Sequence, residues 1–217
     1  MAFNLDFAFG SLELKNSIFL HLPRTGGSWV NHCLQNISHK IDPKNKIRLG
    51  HVPYYKLSKD QRKKFCFSFI RHPFDWYASC YNFSNNISKT KAFKHLSRVH
   101  LPFEIFRRLE YHEGTKADAL TQYLMQTGFG IYHQSLDFFG LDYEIDFIGK
   151  YENLTEDLIT ALEMAGEDFD KEYIISASQY NPQKTKAPKI KFSDETKDLM
   201  YKFDRKIFDR FGYEWEK

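Results

Sequence analysis

Residues 17–29 read Ser-Ile-Phe-Leu-His-Leu-Pro-Arg-Thr-Gly-Gly-Ser-Trp, and this stretch decides the fold. Ser17–Leu22 is a short apolar run stopped by Pro23, the pattern of a buried strand. Arg24–Ser28 is a tight turn with paired glycines. From Trp29 to Ile37 the apolar residues (Trp29, Val30, Cys33, Leu34, Ile37) recur at helical spacing. Strand, glycine turn and helix in immediate succession is the opening unit of an α/β protein. Backbone N–H groups at such a turn converge on an anion, and the helix N-terminus adds a favourable dipole. The turn lacks the Gly-Lys-Ser/Thr ending of a Walker A loop.

Working outward, the same alternation repeats. Ile47–Val52 is a second strand ended by Pro53. Phe65-Cys-Phe-Ser-Phe-Ile70 is a continuous apolar strand, as expected where both faces are covered. His72-Pro73 stops it, and Phe74–Phe83 reads as a helix with Asp75 in its first turn. The region 82–140 is mainly helical, with Phe103–Leu109 and Asp118–Gln126 its clearest periodic pieces. Tyr143–Ile148 is a fourth strand, followed by Gly149 and a helix from Thr155 to Ala165 that Thr155 is expected to cap. Residues 180–192 form a Lys-rich loop. Ser193 opens a last helix that runs to Phe211 and ends at Gly212. No repeat or low-complexity linker interrupts the chain. The expected fold is one domain, residues 1–217: a three-layer α/β sandwich on a largely parallel sheet.

Composition fits this class. The 217 residues are 42% hydrophobic, 27% charged and 17% aromatic, which excludes disordered, collagen-like and membrane-bundle classes. The formal net charge is only +3, yet it is unevenly laid out. Residues 40–64 carry nine Lys/Arg against two Asp/Glu, whereas residues 135–172 carry two Lys against twelve Asp/Glu. A basic segment attracts anions, and the acidic one is expected to be a solvated back face. Cys33, Cys66 and Cys80 show no metal-ligand spacing, and Cys66 reads as a small buried hydrophobe. No basic-then-apolar leader and no run of membrane-spanning length is visible, so the expected compartment is the cytoplasm.

In open parallel sheets ligands sit beyond the carboxyl ends of the strands. The residues there are Arg24–Ser28 after the first strand, His51 after the second, Arg71 after the third with Ser79 eight residues on, and Lys150-Tyr151-Glu152-Asn153-Leu154 after the fourth. Each has a plain structural explanation: a strand-to-helix turn, a packing histidine, a surface ion pair, a helix-interior serine. Their joint arrival at strand ends argues for a site.

The ordered segments Pro-Arg-Thr-Gly-Gly-Ser-Trp, Gly-His-Val-Pro, Phe-Ser-Phe-Ile-Arg-His-Pro-Phe-Asp-Trp-Tyr-Ala-Ser and Lys-Tyr-Glu-Asn-Leu resemble the sulfotransferases that use 3′-phosphoadenosine 5′-phosphosulfate (PAPS). The resemblance covers residues 17–160, and Phe208–Tyr213 is also similar. It implies a P-loop NTPase-like fold and a set of roles. Arg24, Thr25, Gly26, Gly27 and Ser28 hold the 5′-phosphosulfate, and Trp29 stacks near the adenine. Arg71 and Ser79 bind the 3′-phosphate, and Tyr151 lies by the adenine. His51 is the general base for the acceptor hydroxyl or amine, a task that suits a near-neutral pKa.

The family loop commonly carries Lys where Arg24 stands, and Arg does not readily donate a proton, so Arg24 is assigned charge stabilisation. The C-terminal Arg-Lys-Gly segment of the cytosolic phenol and steroid enzymes is absent, and Lys184 and Lys186 are the residues that stand in for it. No acidic residue lies between Trp29 and Ile41 to serve as an alternative base. No metal is expected, since sulfuryl transfer by fixed cations needs none. The acceptor is a small molecule, carbohydrate or peptide, with 82–140 as its wall. Two other readings are a nucleotide-dependent kinase, which the missing Gly-Lys-Ser/Thr disfavours, and a non-catalytic anion or nucleic-acid module on residues 40–64. The latter segment has no recognised nucleic-acid motif.

Overall fold

The computed structural model describes residues 10–36, 47–87, 116–141, 145–177 and 192–215. Phe103–Leu109, Lys184 and Lys186 lie outside the described residues. The chain forms two compact units, Met1–Arg71 with Phe138–Thr185 and His72–Asp137 with Lys186–Lys217.

The first unit carries a sheet of five strands in the spatial order β3-β1-β2-β4-β5, where β1 is Ser11–Glu13, β2 Ser17–Phe19, β3 Ile47–Gly50, β4 Phe65–Ile70 and β5 Phe147–Lys150. β2 pairs with β4 and β4 with β5 in parallel. β1 is antiparallel to both of its neighbours, β2 and β3. It follows that β2, β3, β4 and β5 all run the same way and β1 alone is reversed. The α/β class and the mostly parallel sheet agree with the sequence. The reversed β1 has no counterpart in it, because three residues (Ser-Leu-Glu) offer no readable period.

Both faces of the central strands are buried. Phe19, Phe67 and Phe69 point to one side and Ile18, Cys66 and Ile70 to the other, all at most 1% exposed. Burying a large apolar side chain contributes about 1.5–3 kcal/mol, so both buried layers stabilise the sheet. The phenylalanine face packs on helices α1 (Gly27–Asn36), α5 (Leu154–Met164) and α6 (Lys171–Ala177), through Val30, Cys33, Leu34, Leu158, Leu162 and Ile174. Thr155 does not cap α5; that helix starts one residue earlier, and Asn153 occupies the cap position without a side-chain bond. The strand expected over Tyr143–Ile148 is observed as Phe147–Lys150, and Tyr143 and Glu144 lie outside the described residues.

The acidic segment is only partly a solvated face, because three of its carboxylates brace the sheet. Asp146 accepts from Cys66 N (2.7 Å), Asp157 from Lys150 N (2.6 Å), and Glu167 from Asn16 N (2.8 Å) and Ser17 Oγ (2.7 Å). All three cysteines are buried free thiols, and burial pushes Cys33 and Cys66 up to about 12.

The second unit is helical: α2 (Pro73–Ile87), α3 (Lys116–Thr127), the start of α4 (Ile131–Phe139) and α7 (Asp194–Phe211). α4 falls within the region 82–140 read as mainly helical, although its bounds were not separated there. α7 begins as read, with Ser193 Oγ accepting from Thr196 N at 3.2 Å, and ends at Gly212, whose φ of 60° is left-handed. Within this unit Trp76 stacks on Tyr132 at 4.3 Å. Asp204, at a kink in α7, is fully buried and accepts from Tyr77 Oη (2.7 Å) and His133 N (2.8 Å). Tyr77 Oη in turn accepts from Ile131 N (2.9 Å), so a carboxylate and a phenol together satisfy the orphan amides that open α4.

No helix among the described residues is long and apolar enough to cross a membrane.

Candidate anion-binding site at the strand ends

The common direction of β2, β3, β4 and β5 places their carboxyl ends along one edge of the sheet. The loop after β2 is held there from several directions. Leu20 N donates to Phe67 O (2.8 Å), and Ser68 Oγ donates to Leu20 O (2.7 Å). His21 N donates to Ser11 Oγ (3.1 Å), so the reversed strand β1 also supports the loop. Arg24 adopts φ 71° and Gly26 φ 91°, both left-handed, and these two residues turn the chain from strand to helix.

Gly26 O accepts from Trp29 N (2.9 Å) and Val30 N (3.2 Å), beginning α1 directly at the glycine pair. Asn31 Nδ2 donates to Gly10 O and Gly27 O, both at 2.9 Å, and fixes the first turn of the helix. Asn31 was not singled out from the sequence, and an asparagine inside an amphipathic helix gives no signal that would find it.

The loop residues differ in what they can offer. Thr25 is buried and its hydroxyl donates to Leu22 O (2.7 Å), so its proton is committed to the turn. The Ser28 hydroxyl, half-buried, makes no hydrogen bond among the described residues. Trp29 is only 8% exposed, packs in the core and donates from Nε1 to Ala177 O (3.1 Å). Its ring is thus built into the seat of α1.

From the far strand, Gly149 lets Phe69 and Asp157 approach closely; a Cβ there would lie 2.6 Å from the Phe69 ring. The chain then turns through Tyr151–Asn153. Tyr151 and Leu154 lie over the loop: a Cβ on Gly26 would meet Leu154 Cδ2 at 2.7 Å and Tyr151 Cδ2 at 3.0 Å. The Arg71 guanidinium, at the end of β4, sits over the Tyr151 ring at 4.1 Å. On the other side a Cβ on Gly27 would run into the His21 ring, and the His21 and His51 rings lie 4.8 Å apart. Arg71, Tyr151, Gly26, Gly27, His21 and His51 therefore form one continuous chain of neighbours, drawn from four strand ends. Ser79 belongs to the second unit, on α2.

Burial pulls His51 down from the ordinary histidine range to about 4, while a hydrogen bond to the His21 backbone acts in the opposite direction. His51 is accordingly a neutral imidazole at physiological pH, and burial makes it a weaker base than the near-neutral histidine expected from the sequence. Beyond it, the Tyr54–Lys56 and Gln61–Lys63 turns expose Lys56, Lys59 and Arg62, none ion-paired among the described residues. Lys63 pairs with Asp60 and Lys64 with Glu13, each at 2.7 Å. Net basic charge thus follows His51 in the chain. Among the described residues no three His, Cys, Asp or Glu side chains are grouped to hold a metal ion.

Fold and site together define an α/β protein with a glycine turn, opening directly into a helix, at the carboxyl edge of its sheet. No family model, no curated protein and no solved structure matches the chain.

Proposed function

We propose that the protein is a sulfotransferase that moves a sulfuryl group from PAPS to a hydroxyl or amine acceptor, on a three-layer, P-loop NTPase-like core. The observation that carries the reading is the continuous run Arg71–Tyr151–Gly26–Gly27–His21–His51, which joins an anion-binding turn, an aromatic ring, a cation and a neutral imidazole.

In this reading the amides of Gly26–Ser28 and the Ser28 hydroxyl bind the 5′-phosphosulfate, and Arg24 stabilises charge on the departing phosphate. Tyr151 flanks the adenine. Beside that ring, Arg71 binds the 3′-phosphate through its guanidinium. The acceptor oxygen attacks sulfur in line, the bond from sulfur to the bridging oxygen breaks, and adenosine 3′,5′-bisphosphate leaves. The acceptor proton passes to His51, which is neutral beforehand. Lys56, Lys59 and Arg62 raise the local concentration of a multiply charged donor. Calorimetry with adenosine 3′,5′-bisphosphate against ATP tests the assignment, since only the former carries the 3′-phosphate.

A further inference from the structure

The His51 ring does not stand alone. Phe19, fully buried in the sheet, stacks on His21 with centroids 5.7 Å apart and planes at 25°. His21, 4% exposed, lies in turn 4.8 Å from His51 with planes at 34°. A column of three rings thus rises from the core to the candidate base. The edge of the middle ring occupies the space that a side chain at residue 27 would need, and only glycine leaves it room. His21 therefore touches both Gly27, the first residue of α1, and the group that would take the proton. Its main chain holds His51 as well, through the hydrogen bond that counters the effect of burial.

We propose that His21 is a positioning residue: packed between Gly27 and the His51 ring, it keeps His51 in register with the loop amides. Its burial argues against contact with the reacting atoms. A misplacement of about 1 Å in a catalytic group costs on the order of 100-fold in rate, so a fixed spacing between base and loop is worth a dedicated residue. The proposal rests on His51 being the base.

The test compares His21→Ala, which removes the ring, with His21→Phe, which keeps the column, and Gly27→Ala, which keeps His21 but takes the space of its edge. Two readouts are followed: NMR of labelled histidine, and consumption of PAPS alone, with water as acceptor. In His21→Ala the His51 ring resonances lose the ring-current shift from their neighbour, and in His21→Phe they retain it. PAPS consumption falls about 10- to 100-fold in His21→Ala and Gly27→Ala, with affinity for adenosine 3′,5′-bisphosphate within about twofold in His21→Ala, and His21→Phe recovers most of the loss. Unmoved His51 resonances in His21→Ala, or equal losses in His21→Ala and His21→Phe, overturn the proposal. Should the wild type fail to prefer the bisphosphate over ATP, the donor assignment falls, and the NMR comparison still decides whether His21 seats His51.

Discussion

The Arg71 guanidinium carbon lies 4.1 Å from the centroid of the Tyr151 ring, and these two residues end adjacent parallel strands of the sheet. A cation over an aromatic face is worth about 0.5–2 kcal/mol, the larger figure where water is excluded. The ring also restricts how the guanidinium can turn, and a planar fork donates with a directionality that an ammonium lacks. Arg71→Lys keeps the charge and loses the fork, so it is expected to weaken binding of adenosine 3′,5′-bisphosphate about 10-fold or more. Arg71→Ala should abolish binding, and Tyr151→Leu should weaken it by removing both the support and the ring. Calorimetry on the three variants checks this. Wild-type affinity in Arg71→Lys would show that the fork is not used.

Gly26 combines a left-handed φ of 91° with side chains of Leu154 and Tyr151 directly above it. Gly26→Ala is therefore strained in its backbone and crowded in space, with an expected loss of about 1–3 kcal/mol measured by denaturant unfolding. Bisphosphate binding should fall further than stability does, because Tyr151 is displaced from Arg71.

His51 is held near 4 by burial, below its ordinary range. In the folded state the ring stays neutral until the pH drops well under 6. The unfolded chain, with an ordinary histidine, takes up its proton near 6.5. The stability that comes from a neutral His51 is thus complete above about pH 6.5 and is lost as the pH falls towards 4. NMR titration of labelled histidine is expected to show the His51 ring titrating well below the ordinary histidine range. His51→Ala should remove that resonance, leave bisphosphate binding intact and eliminate turnover. Full turnover in His51→Ala would mean that another group takes the proton.

Asp204 behaves in the opposite sense. Burial raises it to about 7, against the lowering effect of its bonds from Tyr77 and His133. The folded protein binds a proton there that the unfolded chain releases near 4. This contribution is present at low pH and disappears as the pH rises through about 7. The stability of the wild type relative to Asp204→Asn should fall by on the order of 1–3 kcal/mol between pH 5 and pH 8, read by unfolding at each pH. A difference independent of pH would place the ordinary carboxylate charge in the interior.

The strands that carry the site were legible because their residues are continuous apolar runs bounded by proline or glycine. Phe65–Ile70 was found to the residue. What escaped was short or depended on distant partners. β1 has three residues and takes its strand identity from pairing with β2 and β3. The seven-residue helix α6, and the bounds of α4 within the region read as helical, are set by tertiary support, for α4 the Asp204–Tyr77 pair. Position at a strand end singled out Arg71, His51 and Tyr151, whereas side-chain direction was beyond its reach. Trp29 follows the glycine turn at helical spacing that suits both a ligand face and a core face, and its indole bond to Ala177 settles it in the core. His21 sits inside an apolar run and reads as a strand residue; only its approach to Gly27 and His51 separates it from its neighbours.

The central claim is a donor site for a nucleotide with phosphates at both the 3′ and 5′ positions. Isothermal titration of the full chain with adenosine 3′,5′-bisphosphate, and separately with ATP and magnesium, measures it directly. Binding of the bisphosphate at least about 100-fold tighter than ATP, lost in Arg71→Ala, is the result the account predicts. Equal or tighter binding of ATP would contradict it.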